Sequence, residues 1–96
     1  MALFHIIALD KPDSLDLRMA TRPAHLDWIK DSGPMVRMAG PFLGDDGETP
    51  QGSCFIIEAD SKDAAIAWQA SDPYALAGLF ETVSVRHFKI VVGDLA

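Results

Sequence analysis

From Ala2 to Leu9 the chain is largely apolar on both of its alternating sets, with Leu3, Ile7 and Leu9 on one, interrupted by His5, and Phe4, Ile6 and Ala8 on the other. Extended backbone sends successive side chains to opposite sides, so such a strand must be covered on both faces. Ser53 to Ala59 has the same character, with Phe55 and Ile57 on one side and Cys54 and Ile56 on the other. Two strands of this kind demand a sheet, a helical layer on one face and a second cover on the other. No other feature of the sequence constrains the fold as tightly.

The segments between them read as helices and further strands. Asp13 or Ser14 can cap a helix bearing Leu15, Leu17 and Met19. Proline is tolerated in a first helical turn and not in an interior, so Thr21-Arg22-Pro23 predicts a restart capped by Thr21. The second piece carries Ala24, Leu26, Trp28 and Ile29 and stops at Gly33-Pro34. Met35 to Leu43 predicts a strand in which Gly40-Pro41 requires a bulge or an edge position. A turn-rich loop, Gly44 to Gly52, precedes the Ser53 strand. Ser61 then caps a helix with Asp63 in its first turn and Ala64, Ala65, Ala67 and Trp68 on its surface. Ser71-Asp72-Pro73-Tyr74 ends that helix, a short helical turn leads to Gly78, and Glu81 to Val92 reads as the last strand.

The resulting order, βαββαβ, is the split-βαβ α+β arrangement of a four-stranded antiparallel sheet with its helices on one face. Two helices cover one side only. The open apolar side therefore predicts a homodimer that pairs sheet against sheet about a two-fold axis, with assembly beyond the dimer left open.

A chain of 96 residues with 49% hydrophobic content is expected to form a single domain, residues 1–96. Its formal charge of −6 argues against nucleic acid as a partner. The apolar run at the start is far shorter than the about 20 residues a membrane-spanning helix needs, so no membrane association is expected. One cysteine, Cys54, cannot form an internal disulfide, which fits a reducing cytoplasm.

Candidate chemistry centres on Arg22-Pro23-Ala24-His25-Leu26 at a helix start. Helical spacing puts Arg22, His25 and Ile29 on one face, so a histidine points where apolar residues point. That placement admits two roles: a buried histidine satisfied by a carbonyl, or a general acid/base titrating near neutral pH. Arg22 could clamp an anionic substrate. Asp72 before Pro73 is an ordinary helix cap, yet a carboxylate can cap with one oxygen and orient an imidazole with the other. His5 and His87 lie in strands, and the three histidines lack zinc spacing, so no metal and no cofactor is expected. Cys54 reads as a small core residue, and Trp28 and Trp68 as packing anchors.

Several stretches together resemble the YciI-like (YCII-related) family: Asp10-Lys11-Pro12-Asp13-Ser14-Leu15 followed by Arg18, Arg22-Pro23-Ala24-His25-Leu26, Ala39-Gly40-Pro41, the Ala64 to Trp68 helix, Asp72-Pro73-Tyr74 with Ala77-Gly78, and Val85-Arg86-His87-Phe88-Lys89. The match runs in order along nearly the whole chain and is most specific around His25 and Asp72. The resemblance implies a ferredoxin-like fold dimerising into an α+β barrel, with a His-Asp active site at His25 and Asp72. This chain has His87 where family members tend to have proline, which alters the pocket rim. Related dimeric barrels include cofactor-free monooxygenases and muconolactone-type isomerases, but architecture alone carries no activity.

The functional expectation is a small enzyme of isomerase or lyase type acting on a small anionic or cyclic organic molecule. His25 serves as acid/base, Asp72 orients it, Arg22 or Arg18 anchors charge, and Tyr74 lines the pocket. The competing expectation is a non-catalytic ligand-binding or accessory module with a structural His-Asp pair.

Overall fold

The computed structural model describes residues 1–94. Its elements are β1 (Ala2–Asp10), α1 (Leu15–Ser32), a 3₁₀ turn (Gly33–Met35), β2 (Val36–Leu43), β3 (Pro50–Ala59), α2 (Lys62–Ala70), α3 (Pro73–Leu76) and β4 (Phe80–Phe88). The strands run β2-β3-β1-β4, every neighbouring pair antiparallel. This is the ferredoxin-like α+β fold expected from the element order. The two strands that are apolar on both faces, β1 and β3, are the two central ones, flanked on each side by backbone partners.

Register places Phe4 opposite Ile57 and Ile6 opposite Phe55. These four side chains are 1% exposed or less and, with Ala59 and Ala65, form the core beneath the helices. The opposite set, Leu3, His5, Ile7 and Leu9 on β1 with Cys54 and Ile56 on β3, lies on the open face with Met38 and Phe88. No element covers it among the described residues, and Leu9 is 46% exposed and Phe88 40%.

Between the two helices, Trp28 and Trp68 stack with ring centroids 4.3 Å apart. Trp28 Nε1 donates to Ser71 Oγ, which donates to the Trp68 carbonyl; Trp68 Nε1 donates to Ser32 Oγ, which donates to the Trp28 carbonyl. This closed circuit of four hydrogen bonds at 2.7–3.0 Å locks the end of α2 to the end of α1. It therefore sets where residue 72 begins the next element.

Several boundaries differ from the sequence expectation, each for a physical reason. The two helical pieces are one continuous α1 with Pro23 inside it. Thr21 does not cap a restart; its hydroxyl donates to the Leu17 carbonyl four residues back, as it does within a helix. Neither Asp13 nor Ser14 caps with its side chain: Ser14 occupies the cap position, but its hydroxyl turns to the Pro12 carbonyl. Gly33, at φ 70°, ends α1 in a conformation that side chains with a Cβ avoid. Met35 belongs to the 3₁₀ turn, and Pro41 sits on the edge strand, where its missing donor is harmless. β3 starts at Pro50, earlier than Ser53, and β4 stops at Phe88, short of Val92. Val91 and Val92 lie beyond the sheet, 84% and 92% exposed.

Pro23 deprives α1 of the hydrogen bond to the Met19 carbonyl and crowds that carbonyl. Pro23→Ala should raise stability by about 1–2 kcal/mol, the helical gain being partly offset by the greater freedom of the unfolded chain. Chemical denaturation measures it; an unchanged or lower midpoint would contradict the account.

Candidate functional site

α1 is built the wrong way round for an ordinary amphipathic helix. Leu15, Leu17, Met19 and Leu26 are exposed, and the residues it buries are Arg18 and His25. These two lie seven residues apart, two turns of one helical face and roughly 10 Å along the axis. Each meets a carboxylate. At the far end of β1, Asp10 takes the Arg18 guanidinium in a two-pronged grip, Nε to Oδ2 at 2.7 Å and Nη2 to Oδ1 at 3.1 Å. At the start of α3, Asp72 Oδ1 lies 2.8 Å from His25 Nδ1.

Asp72 is fully buried and caps α3, with Oδ1 accepting the Tyr74 backbone N–H at 2.9 Å. One oxygen thus does both tasks that the sequence reading divided between two. Capping brings Oδ1 to the N–H groups at the helix start, and the inward face of α1 delivers the imidazole to that same point. Oδ2 is sealed and has no hydrogen-bond partner among the described residues. A carboxylate offers only acceptors, so the proton of a neutral His25 is assigned to Nδ1 and Nε2 keeps its lone pair. Nε2 makes no hydrogen bond among the described residues, and it is absent from the sealed polar atoms.

Tyr74 fills the space between the two inward side chains of α1. Its ring stacks on the His25 imidazole, centroids 4.1 Å apart and planes within 19°, and the Arg18 guanidinium carbon lies 4.5 Å from the same ring centroid. A carboxylate-backed cation, an aromatic ring and a carboxylate-backed imidazole thus form one stack. Burial pushes the Tyr74 phenol above its ordinary 10.0, with the Arg18 charge pulling the other way.

Beside the stack lies a cavity of about 220 Å³ between α1 and the β2–β3 edge of the sheet. Arg18, Arg22, His25, Ser53 and Tyr74 line it, with Leu26, Ile29 and Phe55 among its apolar walls. Two guanidinium groups and an imidazole face it, and no carboxylate belongs to its lining. In a chain of net charge −6 that is a local reversal of sign, suited to an anion. The structure therefore brings together all five residues singled out from the sequence: His25, Asp72, Arg22, Arg18 and Tyr74. Arg22 is exposed at the rim, and Arg18 is 3% exposed, with Nη1 unpartnered among the described residues. Sequence reasoning missed Asp10 and Ser53 as site residues. Asp10 at the end of an apolar strand was the available signal, since a carboxylate there needs a cation.

A larger, shallower recess of about 660 Å³ adjoins this cavity at the same end of the sheet, sharing Pro50 with it, around Lys11–Leu15, Phe42 and Gln51. It contains no histidine or cysteine. On the open face, His5 Nε2 lies 3.1 Å from Cys54 Sγ, and burial pushes the thiol above its ordinary range. Cys54 is thus half-buried on the open face and not in the core beneath the helices. His87, expected to alter the pocket rim, instead lies in β4 against Phe4, ring centroids 4.6 Å apart, and is not among the residues lining either recess. No metal-binding cluster of three or more His, Cys, Asp or Glu occurs among the described residues.

A ferredoxin-like α+β protein with a buried His-Asp pair opening on a small cationic cavity is the class that fold and site define. The chain belongs to the YCII-related domain family, whose pattern matches residues 2–89. It is 43% identical, over 97 aligned positions, to the protein YciI of Escherichia coli O6:H1 strain CFT073, covering 93% of this chain and 98% of that one. Among solved structures it is similar to 5-chloro-2-hydroxyhydroquinone dehydrochlorinase (TftG) from Burkholderia phenoliruptrix AC1100, in complex with 2,5-dihydroxybenzoquinone. That match has a TM-score of 0.83 and 34% identity, over 91% of this chain and 93% of the other. A dimeric ferredoxin-like protein of unknown function from Jannaschia sp. CCS1 shares the fold, at a TM-score of 0.51 and 17% identity over 94% and 100% of the two chains. No helix of the described residues is long and apolar enough to cross a membrane.

Tyr74 is the chain's one tyrosine, so tyrosinate absorbance reports it alone. The native phenol should ionise above pH 10, later than in the unfolded chain. Because the folded state holds the proton longer, stability attributed to this group is complete below pH 10 and declines as pH rises past it. Alkaline titration of native and denatured protein checks the order of the two midpoints, and a native midpoint at or below the denatured one would contradict it.

Proposed function

We propose that this chain is a small enzyme of lyase or isomerase type, acting by proton transfer on a small anionic or cyclic organic molecule. His25 is the acid/base, and Asp72 is its orienting partner. Arg22 and Arg18 supply charge complementary to the substrate, and Tyr74 forms a wall. The observation that carries this reading is the 2.8 Å contact of His25 Nδ1 with Asp72 Oδ1, which leaves Nε2 unengaged on a residue lining the cavity.

The pair works as a two-member device. Nε2 accepts a proton from substrate, and the imidazolium that forms keeps its Nδ1–H on a buried carboxylate that offsets the new charge. The proton then returns to another atom of the substrate or leaves with an eliminated group. The dehydrochlorinase similar to this chain is an elimination catalyst by name, and the ring compound bound to it is small enough for a cavity of about 220 Å³. Those facts support the lyase class here and do not name the substrate.

The second reading, a binding module with a structural His-Asp pair, draws on the burial of both groups and the sealed Oδ2. The two readings part at His25→Ala. Chlorinated hydroxyhydroquinones assayed for chloride release, and enolisable ring ketones assayed for solvent deuterium uptake, supply the readouts. Turnover by the wild type should fall on the order of 10²-fold or more in His25→Ala, with fold retained. A wild type that turns over neither class, or a variant as active as wild type, would favour the binding module.

The open sheet face carries the proposed homodimer, assembled about a two-fold axis in the manner of an α+β barrel. The single cysteine is in keeping with a reducing, cytoplasmic setting. Leu9→Glu places a charge on the open face, on the side of β1 away from His25. It should convert the dimer to a folded monomer in sedimentation analysis; a dimer unaffected by this charge would place the interface elsewhere.

A further inference from the structure

We propose that Ser53, backed by Arg18 and Asp10, forms an oxyanion-binding corner of the cavity, and that the substrate of the His25 site is therefore a carbonyl compound or its enol. The inference rests on the acid/base reading of His25 and extends it to the atom where negative charge develops.

Ser53 lies on β3 opposite Ala8 and Pro41, on the sheet face that packs under the helices, and it is 3% exposed. It also lines the cavity. Its Oγ accepts a hydrogen bond from Arg18 Nη2 at 2.8 Å, while that guanidinium is held by both oxygens of Asp10. Oγ donates to no acceptor among the described residues, in a protein whose Ser14, Ser32 and Ser71 hydroxyls all donate to carbonyls. Ser53 is thus a hydroxyl polarised by a buried cation, with its own proton unspent. Arg18 Nη1 is a second unspent donor beside it, since Nε and Nη2 are the engaged nitrogens.

The cavity then has two arms, each backed by a carboxylate. Asp72 backs His25, which moves the proton; Asp10 backs Arg18 and through it Ser53, which receive the charge. Donors fixed before reaction and shielded from water stabilise a developing oxyanion far better than mobile solvent does. The step balances as follows. His25 Nε2 takes a proton from the carbon next to a carbonyl. The C–H pair becomes a carbon–carbon double bond, and the carbonyl π pair moves onto oxygen, where Ser53 Oγ–H and Arg18 Nη1–H hold it. For elimination, the oxygen pair re-forms the carbonyl, the double bond shifts by one carbon, and the leaving anion departs with its bonding pair while His25 releases its proton. For isomerisation, His25 returns the proton to a conjugated carbon or to the oxygen.

The probe is 2,5-dihydroxybenzoquinone, an anion near neutral pH, compared by calorimetry with its uncharged dimethyl ether. Wild type should prefer the anion by about tenfold or more, the scale of a hydrogen bond to a charged group. Ser53→Ala should lower that preference severalfold without loss of fold, Arg18 and Arg22 retaining the remainder, and Ser53→Thr should keep it. Ser53→Cys, similar in shape with a weak donor, stands in if Ser53→Ala is unstable. His25→Ala should retain the preference while losing turnover. A wild type that binds the two ligands alike, or a folded Ser53→Ala with the wild-type preference undiminished, would overturn the oxyanion corner. Full turnover in His25→Ala, alongside a lowered preference in Ser53→Ala, would remove the acid/base reading and leave the anion-binding corner standing.

Discussion

The site depends on two carboxylates holding the inward face of one helix. α1 turns Arg18 and His25 toward the sheet while several of its aliphatic side chains face out. Buried alone, a guanidinium would be expelled by its desolvation penalty, which amounts to several kcal/mol. Asp10 removes that penalty for Arg18 at the end of β1, and Asp72 gives His25 a partner at the cap of α3. Rotating the helix would bury Leu15, Leu26 and Met19 at the expense of Trp28 and Ile29, which pack against the core. The polar contacts and these two apolar side chains together set the rotation of α1, and the rotation places the cavity.

Asp72 is held in position by a second arrangement, remote from the cavity. Ser71, its neighbour, belongs to the closed hydrogen-bond circuit around the stacked Trp28 and Trp68. Trp28 follows His25 by three residues on α1, so one circuit fixes both halves of the His-Asp pair relative to each other. Backbone capping then aims Oδ1, since the Tyr74 N–H and the imidazole converge on the same atom. The second oxygen is left without a partner, a cost of about 1–3 kcal/mol for a buried polar atom. Such a cost persists in a fold when the geometry that imposes it is needed.

Much of the architecture was legible because it follows from period and composition. Strands apolar on both sides belong at the centre of a sheet, and β1 and β3 are there; a proline in a strand belongs at an edge, and Pro41 is there. The continuity of α1 was not legible, because local rules weigh Pro23 as a break while packing on both sides keeps the helix going. The end of β4 at Phe88 was missed for a similar reason, since the β-branched run of Val91 and Val92 looks like a strand without a neighbour to pair with. Within the site, His25 and Asp72 could be named in advance. What could not be read was the sharing of Oδ1, or the linking of Asp10, Arg18 and Ser53 across three elements. Those are properties of side-chain direction in space.

The distribution of charge sets the candidate cavity apart from the rest of the surface. A chain with six more acidic than basic groups has a surface that turns anions away, yet the cavity exposes guanidinium and imidazole without a carboxylate in its lining. The two acids that matter most, Asp10 and Asp72, sit behind the groups they support and do not line this cavity. Their charge neutralises Arg18 and steadies His25, but it reaches a ligand only through those side chains. Under the proposed reading, a small anion entering there meets guanidinium and imidazole before any carboxylate. Acidic groups placed one layer back thus let an acidic protein keep a cavity lining of the opposite sign.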